Sequence, residues 1–390
     1  MLNMKQKQAL TQTIKKRYQS SNRNTKSKIL DELIATTGYN RSYARRLFNN
    51  HLKTGRKKIR KSRVRIYDQP VLTALKTVWM AADNICSKRL QPFLPELLGF
   101  LERNEEIKID DKIRQKLITL SCSTIDRLLL PSRRRYQLKG RSTTKPGTLL
   151  RHAIPIRTFA DWNEKQPGFF EADLVALCGD NVGGGYVNVL DLTDVFTGWV
   201  TLEAFMGKGQ FMIHAGVNSI RQRLPFLMLG FDSDNGTEFI NGILLRYCEG
   251  NQITFTRIRP YQKNDNCFVE QKNFSVVRRF LGYIRRETTA ELIVIQEMLK
   301  LIEDYVNFFQ PSLKLKSKTR IDNKTKKIYD VAKTPFQRLL DSGILRPDIK
   351  QKLLDYYHSL NPMELRRKIS KLNQKLDQLH RYNLVESTNT

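Results

Sequence analysis

The sequence predicts a multidomain protein with all-α helix-turn-helix units at its N-terminus, a central α/β core and a small basic C-terminal extension. Three observations predict this organisation. Apolar residues follow helical spacing through the first third of the chain. From about residue 168, short alternating or apolar runs bounded by glycine turns alternate with helical patterns and predict a mixed five-stranded sheet. Positive charge is concentrated on both sides of this central part.

The distribution of charge indicates the class of partner. The 390 residues carry a formal net charge of +30. Residues 1–65 contain 19 Lys and Arg against two acidic residues, whereas residues 168–290 contain 12 basic and 13 acidic residues. A chain of this length is expected to form several domains. Cationic flanks around a nearly neutral centre are typical of a protein that holds a polyanion, although a lysine-rich surface that only contacts solvent is the alternative.

Other composition features exclude several protein classes. No apolar run approaches the roughly 18 residues that a membrane span needs, and the first residues lack the apolar stretch of a signal peptide. The five cysteines are scattered without CxxC spacing, so we expect reduced thiols and no zinc site. We therefore expect a cytoplasmic, nucleoid-associated protein with no membrane partner and no small-molecule substrate.

Residues 1–66 are predicted to form a helix-turn-helix domain. Two helical patterns end at Thr37-Gly38, and a short arginine-rich helix follows. The alternative is a three-helix bundle whose arginines are only solvated. The strongly basic run after it predicts an arm that lies on phosphates. The candidate DNA contacts in and after this domain are Arg41, Arg45, Arg46, Lys57, Lys58 and Arg60.

Residues 67–130 are predicted to form a second helical domain, either another helix-turn-helix or a spacer. We expect helices over 69–82, 88–103 and 110–119, and a last short helix with Ser123 as its N-cap. Residues 131–167 are rich in Pro, Gly and Arg, which predicts a basic linker. The candidate DNA contacts in this linker are Arg133, Arg134 and Arg135.

Residues 168–310 are predicted to form the α/β core. The expected strands are about 169–177, 186–192, 197–205, 227–231 and 252–257, and the expected helices are 209–223, 238–249 and one from about 265.

Three acidic residues stand out in this core. Asp173 lies within an apolar strand, where a carboxylate is costly unless it is paired or binds a metal. Asp234 ends a buried strand and precedes Asn235-Gly236, and 35 residues separate it from Glu270 on the following helix. A structural salt bridge at Asp173 and an Asx turn at Asp234 are the alternatives. Asp232 competes with Asp234, and the other core acids Glu171, Asp191 and Asp194 are interpreted as strand-edge or turn acids.

The order, spacing and context of these acids resemble the DDE recombinases of the retroviral-integrase superfamily, in particular bacterial insertion-sequence transposases. The resemblance is clearest over about 168–310. It implies a ribonuclease-H-like fold, with the first acid within strand one, the second at the end of strand four and the third on a helix. It also implies that Asp173, Asp234 and Glu270 are catalytic and bind two Mg²⁺ ions, for which Mn²⁺ would substitute. Two such ions, about 3.5–4 Å apart, stabilise the attacking and leaving oxygens of a phosphoryl transfer, and Mg²⁺ prefers oxygen ligands.

The neighbourhood of the second and third acids supplies further candidate DNA contacts. One feature departs from the integrase pattern, because Phe274 and Val277 stand where integrases often have lysines. The candidate DNA contacts near the acids are Asn235, Arg259, Tyr261, Lys263, Lys272 and Asn273.

Residues 311–390 are predicted to form the C-terminal extension, after an amphipathic helix over 289–309. Basic segments on both sides of Asp322-Asn323 resemble a hairpin that contacts DNA. A final helix begins near Asn361-Pro362 with leucines at heptad spacing, which favours either self-association or packing on its own domain.

The resemblance implies a DNA transposase or integrase. Such an enzyme binds element ends, hydrolyses a phosphodiester to expose a 3′-OH and joins that hydroxyl to target DNA. Its expected partners are double-stranded DNA and further copies of itself. A metal-dependent nuclease of the same fold without strand transfer, and a catalytically inactive DNA-binding regulator, are the alternatives.

Overall fold

The computed structural model describes residues 2–49, 66–133, 156–157, 165–258, 267–321 and 324–388. The chain forms two compact units, residues 1–66 and residues 67–390. Eight candidate DNA contacts lie outside the described residues, namely Lys57, Lys58, Arg60, Arg134, Arg135, Arg259, Tyr261 and Lys263.

The first unit contains three helices, as the sequence predicts: α1 (Met4–Ser20), α2 (Arg23–Thr37) and α3 (Arg41–Asn49). Helix α2 ends at Gly38, whose φ of 69° is the left-handed conformation that glycine adopts without strain. Ile29, Leu33 and Phe48 are buried between the helices, and the ring of Tyr18 stacks on Phe48. The predicted periodicity therefore corresponds to a small apolar core.

The second unit begins with four helices, α4 (Gln69–Ala81), α5 (Ser87–Arg103), α6 (Asp111–Ile118) and α7 (Cys122–Arg133). The prediction that Ser123 caps the last of them is wrong. Helix α7 already includes Cys122, and the hydroxyl of Ser121 accepts a hydrogen bond from the Thr124 amide at 3.3 Å. A cap residue lies before the first helical turn and accepts from an amide within it, so Ser121 is the cap.

The sheet follows. Its strands are β1 (Ile156–Arg157), β2 (Phe169–Ala176), β3 (Val187–Asp194), β4 (Val200–Met206), β5 (Gly230–Ser233) and β6 (Thr254–Ile258), in the spatial order β1-β6-β5-β2-β3-β4. Strands β2, β3 and β4 form an antiparallel meander, and β5 and β6 add in parallel to β2. Helices α8 (Gln210–Arg223) and α9 (Gly242–Gly250) make the crossovers that parallel pairing requires.

This strand order confirms the predicted mixed five-stranded sheet of a ribonuclease-H-like core. The structure adds the two-residue edge strand β1, which pairs in parallel with β6 and comes from the segment predicted as a linker. The predicted fourth strand begins at Gly230 rather than at residue 227. Residues 227–229 come before the paired residues of this strand. The apolar run therefore begins before the strand does.

The remainder of the chain is helical apart from one hairpin. Helix α10 (Cys267–Lys272) continues through a π-helical segment (Asn273–Arg278) into α11 (Arg279–Leu281) and is followed by α12 (Thr289–Phe309). Strands β7 (Leu315–Ile321) and β8 (Lys324–Tyr329) form the predicted basic hairpin, and helices α13 (Pro335–Asp341), α14 (Pro347–Ser359) and α15 (Pro362–Thr388) complete the chain.

The helices α4 to α7, predicted as a domain of their own, belong to the same compact unit as the sheet. Their buried side chains and those of the sheet and α12 form one hydrophobic cluster. The Tyr305 hydroxyl of α12 donates to the Ala81 carbonyl at 2.6 Å, and Arg279 forms an ion pair with Asp83. The apolar faces of these helices therefore complete the core of the α/β unit.

Helix α15 packs on its own chain. Leu365, Ile369 and Leu376, three of its heptad residues, are buried in the cluster that also contains the apolar face of α12. The buried Arg286 guanidinium donates to the Leu376 carbonyl at 2.8 Å and contacts Glu291 at 3.2 Å. Self-association and packing on the same domain were the two predicted roles of these leucines. The structure shows packing on the same chain.

Among the described residues, no helix combines the length and the apolar character that crossing a bilayer requires.

Candidate active site

Four carboxylates lie on one face of the sheet, across three adjacent strands. Glu171 and Asp173 are two residues apart on β2 and therefore project from the same face. Asp191 of β3 is the ladder partner of Asp173, and Asp232 of β5 is aligned with Glu171. Residues aligned across a ladder share a face, so all four carboxylates belong to one acidic row.

Asp173 is held from two directions. Its Oδ1 accepts a hydrogen bond from the Leu174 amide at 2.8 Å, and its Oδ2 accepts one from Asn273 Nδ2 at 2.5 Å. Burial and the nearby charge of Asp234 nevertheless raise the pKa of Asp173 to about 8. The structure therefore brings Asp173 and Asp234 close enough for their charges to repel.

Asp234 directly follows the last residue of β5. Its Oδ1 accepts a hydrogen bond from the Gly236 amide at 2.9 Å, so the Asx turn considered from the sequence is present. A Cβ at Gly236 would lie 2.9 Å from that Oδ1 and 2.7 Å from Cδ of Glu238, so a larger residue here would have to displace these side-chain ends. Burial, assisted by the charge of Glu238, raises the pKa of Asp234 to about 6. Asp234 therefore both forms the Asx turn and lies near Asp173.

Asp232, the competing candidate, has a different environment. It is 1% exposed, and the Thr256 hydroxyl of the neighbouring strand donates to its Oδ1. Asp234, which directly follows the strand, helps to raise the pKa of Asp173 through its charge. This contrast agrees with the choice of the acid that directly precedes Asn-Gly.

Glu270, the third predicted acid, lies in the first turn of α10 and is exposed. Its charge acts on Glu171. Within the described ranges, no three His, Cys, Asp or Glu side chains are grouped so that they could hold a metal ion. The structure therefore brings together two of the three predicted acids and places the third on the helix that packs over the same sheet face.

Glu171 fixes that helix to the sheet. Its Oε2 accepts hydrogen bonds from the amides of Phe268 at 2.8 Å and Val269 at 2.9 Å, which are first-turn donors of α10 without helical partners. Burial raises the pKa of Glu171 well above its ordinary value, and these bonds oppose the increase. The interpretation of Glu171 as a strand-edge acid is wrong, because the side chain is 0% exposed and anchors the helix that carries Glu270. The sequence signal for this position was the spacing of two residues between Glu171 and Asp173, which places both side chains on the same face of a strand.

Asp191 is a further residue whose role was missed. It is 0% exposed, its Oδ1 accepts from the Thr193 hydroxyl at 3.0 Å, and its Oδ2 has no hydrogen-bond partner among the described residues. Burial raises the pKa of Asp191 to about 7, with the charge of Lys272 opposing the increase. The interpretation as a turn or strand-edge acid is wrong for Asp191. It holds for Asp194, which accepts from the Gly168 and Thr197 amides.

Lys272 and Asn273 are turned toward the acids. Lys272 is partly buried, and burial lowers its pKa to about 8 while the charge of Asp191 opposes the decrease. Asn273 begins the π-helical segment and donates to Asp173. Both were predicted to contact DNA, and that role stays a prediction; Asn273 contacts Asp173, and the charge of Lys272 acts on Asp191.

Asn235 joins the ends of two strands. It is 7% exposed, its Nδ2 donates to the Ile258 carbonyl at 2.9 Å, and its Oδ1 accepts from Arg257 at 3.0 Å. These bonds fix the residue that follows Asp234 to the end of β6. Its predicted contact with DNA is untested by this arrangement.

The remaining described DNA candidates have intramolecular contacts of different strength. Arg41 forms an ion pair with Asp31 and donates to Ser27 at 2.9 Å, whereas Arg46 lies over the Tyr43 ring and Arg45 is exposed. In the second unit, Arg133 contacts Asp126 at 2.5 Å.

The donor set of the site fits Mg²⁺ or Mn²⁺. The groups that converge are carboxylate oxygens, which are hard ligands, and Mg²⁺ needs only one or two carboxylates because it retains several waters. Burial raises the pKa values of Asp173 and Asp234, and for Asp173 the charge of Asp234 adds to the increase. A divalent ion beside both carboxylates would reverse that effect.

Comparison with solved structures gives integrases, at low similarity. One similar chain is the catalytic core domain of BIV integrase, with a TM-score of 0.31 and 17% identity, covering 45% of this chain and 95% of that chain. Another belongs to a simian T-cell lymphotropic virus intasome in complex with the PP2A regulatory subunit B56 gamma, with a TM-score of 0.31 and 13% identity, covering 49% of this chain and 63% of that chain. A third is the HTLV-2 integrase catalytic core domain in complex with magnesium (TM-score 0.29, 14% identity, 38% and 91%). We therefore base the assignment of the fold on strand order and register.

Comparison of sequences gives a clear relative. No family model matches the chain. The chain is 38% identical over 342 residues to the uncharacterized protein y4rM of Sinorhizobium fredii (strain NBRC 101917 / NGR234), which covers 86% of this chain and 96% of that protein. Identity of this extent over nearly the whole of both proteins shows that the chain belongs to the y4rM family.

Proposed function

We propose that the chain is a Mg²⁺-dependent polynucleotidyl transferase, a DNA transposase or integrase of the bacterial insertion-sequence type. The observation that carries the proposal is the position of Asp173, within β2, beside Asp234, which directly follows β5. Each aspartate follows one residue of the aligned pair Ala172–Ser233, and the charge of Asp234 helps to raise the pKa of Asp173. Two carboxylates that meet at this point of a ribonuclease-H-like sheet support a site for divalent metal and phosphate.

Asp173, Asp234 and Glu270 would hold the metal ions. When bound, two Mg²⁺ or Mn²⁺ ions would supply positive charge to the attacking and leaving oxygens of an in-line displacement. Hydrolysis of a phosphodiester and the joining of the resulting 3′-OH to target DNA are both phosphoryl transfers, so one site serves both steps.

Other side chains would position these ligands. The Leu174 amide and Asn273 orient the two oxygens of Asp173, and Glu171 fixes the first turn of α10, from which Glu270 projects. The charge of +30 supports double-stranded DNA as the substrate.

Residues 1–66 would recognise the ends of the element. A helix of nine residues with three arginines follows the glycine turn, which is the plan of a DNA-recognition helix. Several copies of the chain would act together on DNA, because two ends must be joined to one target. We place this activity at the nucleoid.

A cleavage and joining assay tests the proposal. The substrate is duplex DNA that carries the sequences flanking the reading frame, with Mg²⁺ and a labelled target plasmid. We expect cleavage that exposes a 3′-OH, followed by joined product. Asp173→Asn, Asp234→Asn and Glu270→Gln should each abolish both steps and leave DNA binding intact, whereas Asp348→Asn, an exposed acid on α14, should change neither.

The same assay separates the alternatives. Cleavage without joined product would favour a metal-dependent nuclease of this fold. Sequence-specific binding without cleavage by the unmodified protein would favour an inactive regulator. Joined product formed by Asp173→Asn or Asp234→Asn protein would contradict the assignment of the catalytic residues.

A further inference from the structure

The hairpin formed by β7 and β8 carries a positive charge that does not stabilise the hairpin itself. Its two strands contain six Lys and Arg residues and no acidic residue. The register aligns Lys318 with Lys327 across the ladder. Like charges at aligned positions of an antiparallel pair are destabilising, so this composition opposes formation of the hairpin.

The base of the hairpin is held firmly on the α/β unit. Asp330 accepts from the Lys314 amide at 2.7 Å and from Arg338 of α13 at 2.6 Å, and Arg338 also donates to the Ser312 carbonyl at 2.9 Å. The Lys314 ammonium donates to the carbonyls of Val195 and Phe196, in the turn between β3 and β4. The hairpin therefore projects from a fixed base on the sheet.

The described side chains beyond this base are exposed, and three of them are lysines. Lys316, Lys326 and Lys327 are exposed, and Ile328 and Tyr329 beside them are each 47% exposed. No salt bridge involves any of these three lysines within the described residues. Lysine is a point charge that suits phosphate oxygens, whereas base edges are usually recognised by bidentate side chains.

We propose that this hairpin is a ribbon that binds the sugar-phosphate backbone of duplex DNA without reading its sequence. A two-stranded β-ribbon fits the major groove of B-DNA, which is about 12 Å wide. The proposal rests on the proposed function and deepens it: residues 1–66 select the element ends, and the hairpin adds affinity for any duplex, including the target.

The test compares two variants with the same change in charge. The first replaces Lys316, Lys326 and Lys327 by Gln, and the control replaces Lys350, Lys352 and Lys371, exposed lysines on α14 and α15, by Gln. Both changes are made in full-length Asp173→Asn protein, so binding is measured without cleavage. The probes are an element-end duplex and a scrambled duplex of the same length, over a series of salt concentrations.

We expect the hairpin variant to bind both duplexes about tenfold or more weakly, by the same factor, at about 0.1 M salt. Its salt slope should decrease by about 2 to 3, because each phosphate contact contributes about 0.9. The control variant should keep the slope of the unmodified protein.

Equal slopes for the two variants would overturn the proposed role of the hairpin. A loss confined to the element-end duplex would also overturn it, since the hairpin would then read sequence. Failure of the proposed function has a different signature. If the unmodified protein bound both duplexes but never cleaved them, the comparison of the two lysine variants would be unchanged.

Discussion

Asp173 of β2 and Asp191 of β3 are aligned partners across the antiparallel ladder, so two carboxylates leave the same face of the sheet side by side. Burial raises the pKa of both, to about 8 for Asp173 and about 7 for Asp191, and the charge of Asp191 adds to the increase at Asp173. Lys272 acts on Asp191, whereas the next acid beside Asp173 is Asp234. A cation would therefore be stabilising beside Asp173, on the side of the Asp173–Asp191 pair that faces Asp234.

The first prediction concerns the pH dependence of stability without metal. The pKa values of Asp173, Asp191 and Asp234 are raised in the folded protein, so the folded state retains protons that the unfolded state has lost. Their contribution to stability is complete below about pH 4 and is lost progressively as the pH rises from there to about 8, the highest of the three folded pKa values. We expect the free energy of unfolding in EDTA to decrease over that range.

Asp173→Asn should flatten this dependence, because the amide cannot ionise, and Mg²⁺ should flatten it in the unmodified protein by favouring the carboxylates. Thermal unfolding at about pH 5 and about pH 8 measures both effects. Asp348→Asn is the control for an exposed acid. An identical decrease in the Asp173→Asn and Asp348→Asn proteins would show that Asp173 ionises normally in the folded state.

The second prediction concerns Asn273, which donates to Asp173 Oδ2 at 2.5 Å. Residues that orient metal ligands contribute about 10–100-fold to metal affinity or activity. We expect Asn273→Ala to lower Mg²⁺-dependent cleavage and Mn²⁺ affinity by that factor without changing DNA affinity. Gln271→Ala, which removes an exposed amide from the same helix, is the matched control.

The two roles considered for Asn273 give opposite results in this comparison. A loss of DNA affinity with unchanged Mn²⁺ affinity would support the contact with DNA predicted from the sequence. Equal activity of the Asn273→Ala and Gln271→Ala proteins would exclude both roles.

The third prediction concerns Arg286, which precedes α12, forms a buried ion pair with Glu291 of α12 and donates to the Leu376 carbonyl of α15. The side chains of Arg286 and Glu291 are 3% and 1% exposed. Arg286→Met would leave the Glu291 carboxylate buried without its partner, which typically destabilises a protein by about 3–5 kcal/mol. Urea unfolding measures this change.

The exposed pair Lys368–Glu364 is the control for that experiment, because its side chains are 57% and 50% exposed. Lys368→Ala should change stability by no more than about 1 kcal/mol. A similarly small effect of Arg286→Met would mean that the pair does not hold α15 on the unit.

The fourth prediction separates the arginines of α3. Arg41 is engaged by Asp31 and Ser27, whereas Arg45 is exposed. We expect Arg45→Gln to weaken binding of an element-end duplex more than Arg41→Gln, measured by fluorescence anisotropy at fixed salt. A larger effect of Arg41→Gln would indicate that Arg41 exchanges its intramolecular partners for DNA.

Much of the core could be predicted from the sequence because its signals are local. Alternation, glycine turns and helical periodicity located the five main strands, and the capping box at Thr288 and Glu291 lies where the predicted α12 begins. The preference for Asp234 over Asp232 rests on the resemblance, in which the acid directly precedes Asn-Gly, and it stays a prediction; the structure contains the Asx turn at Asp234.

The roles of Glu171 and Asp191 could not be predicted, because they depend on packing between distant parts of the chain. Alternation places Glu171 on the same face as Asp173, but only the position of α10, about a hundred residues later, makes that face interior. Likewise, the alignment of Asp191 with Asp173 depends on the register of β2 and β3. The sequence patterns specify faces, whereas the tertiary structure decides what covers them.

Anomalous diffraction from crystals soaked in Mn²⁺ tests the metal site most directly. We expect an anomalous peak within coordination distance of carboxylate oxygens of both Asp173 and Asp234, and no such peak in crystals of the Asp173→Asn protein. Crystals that take up Mn²⁺ elsewhere but show no peak between these two carboxylates would contradict the proposal that they bind the catalytic metal.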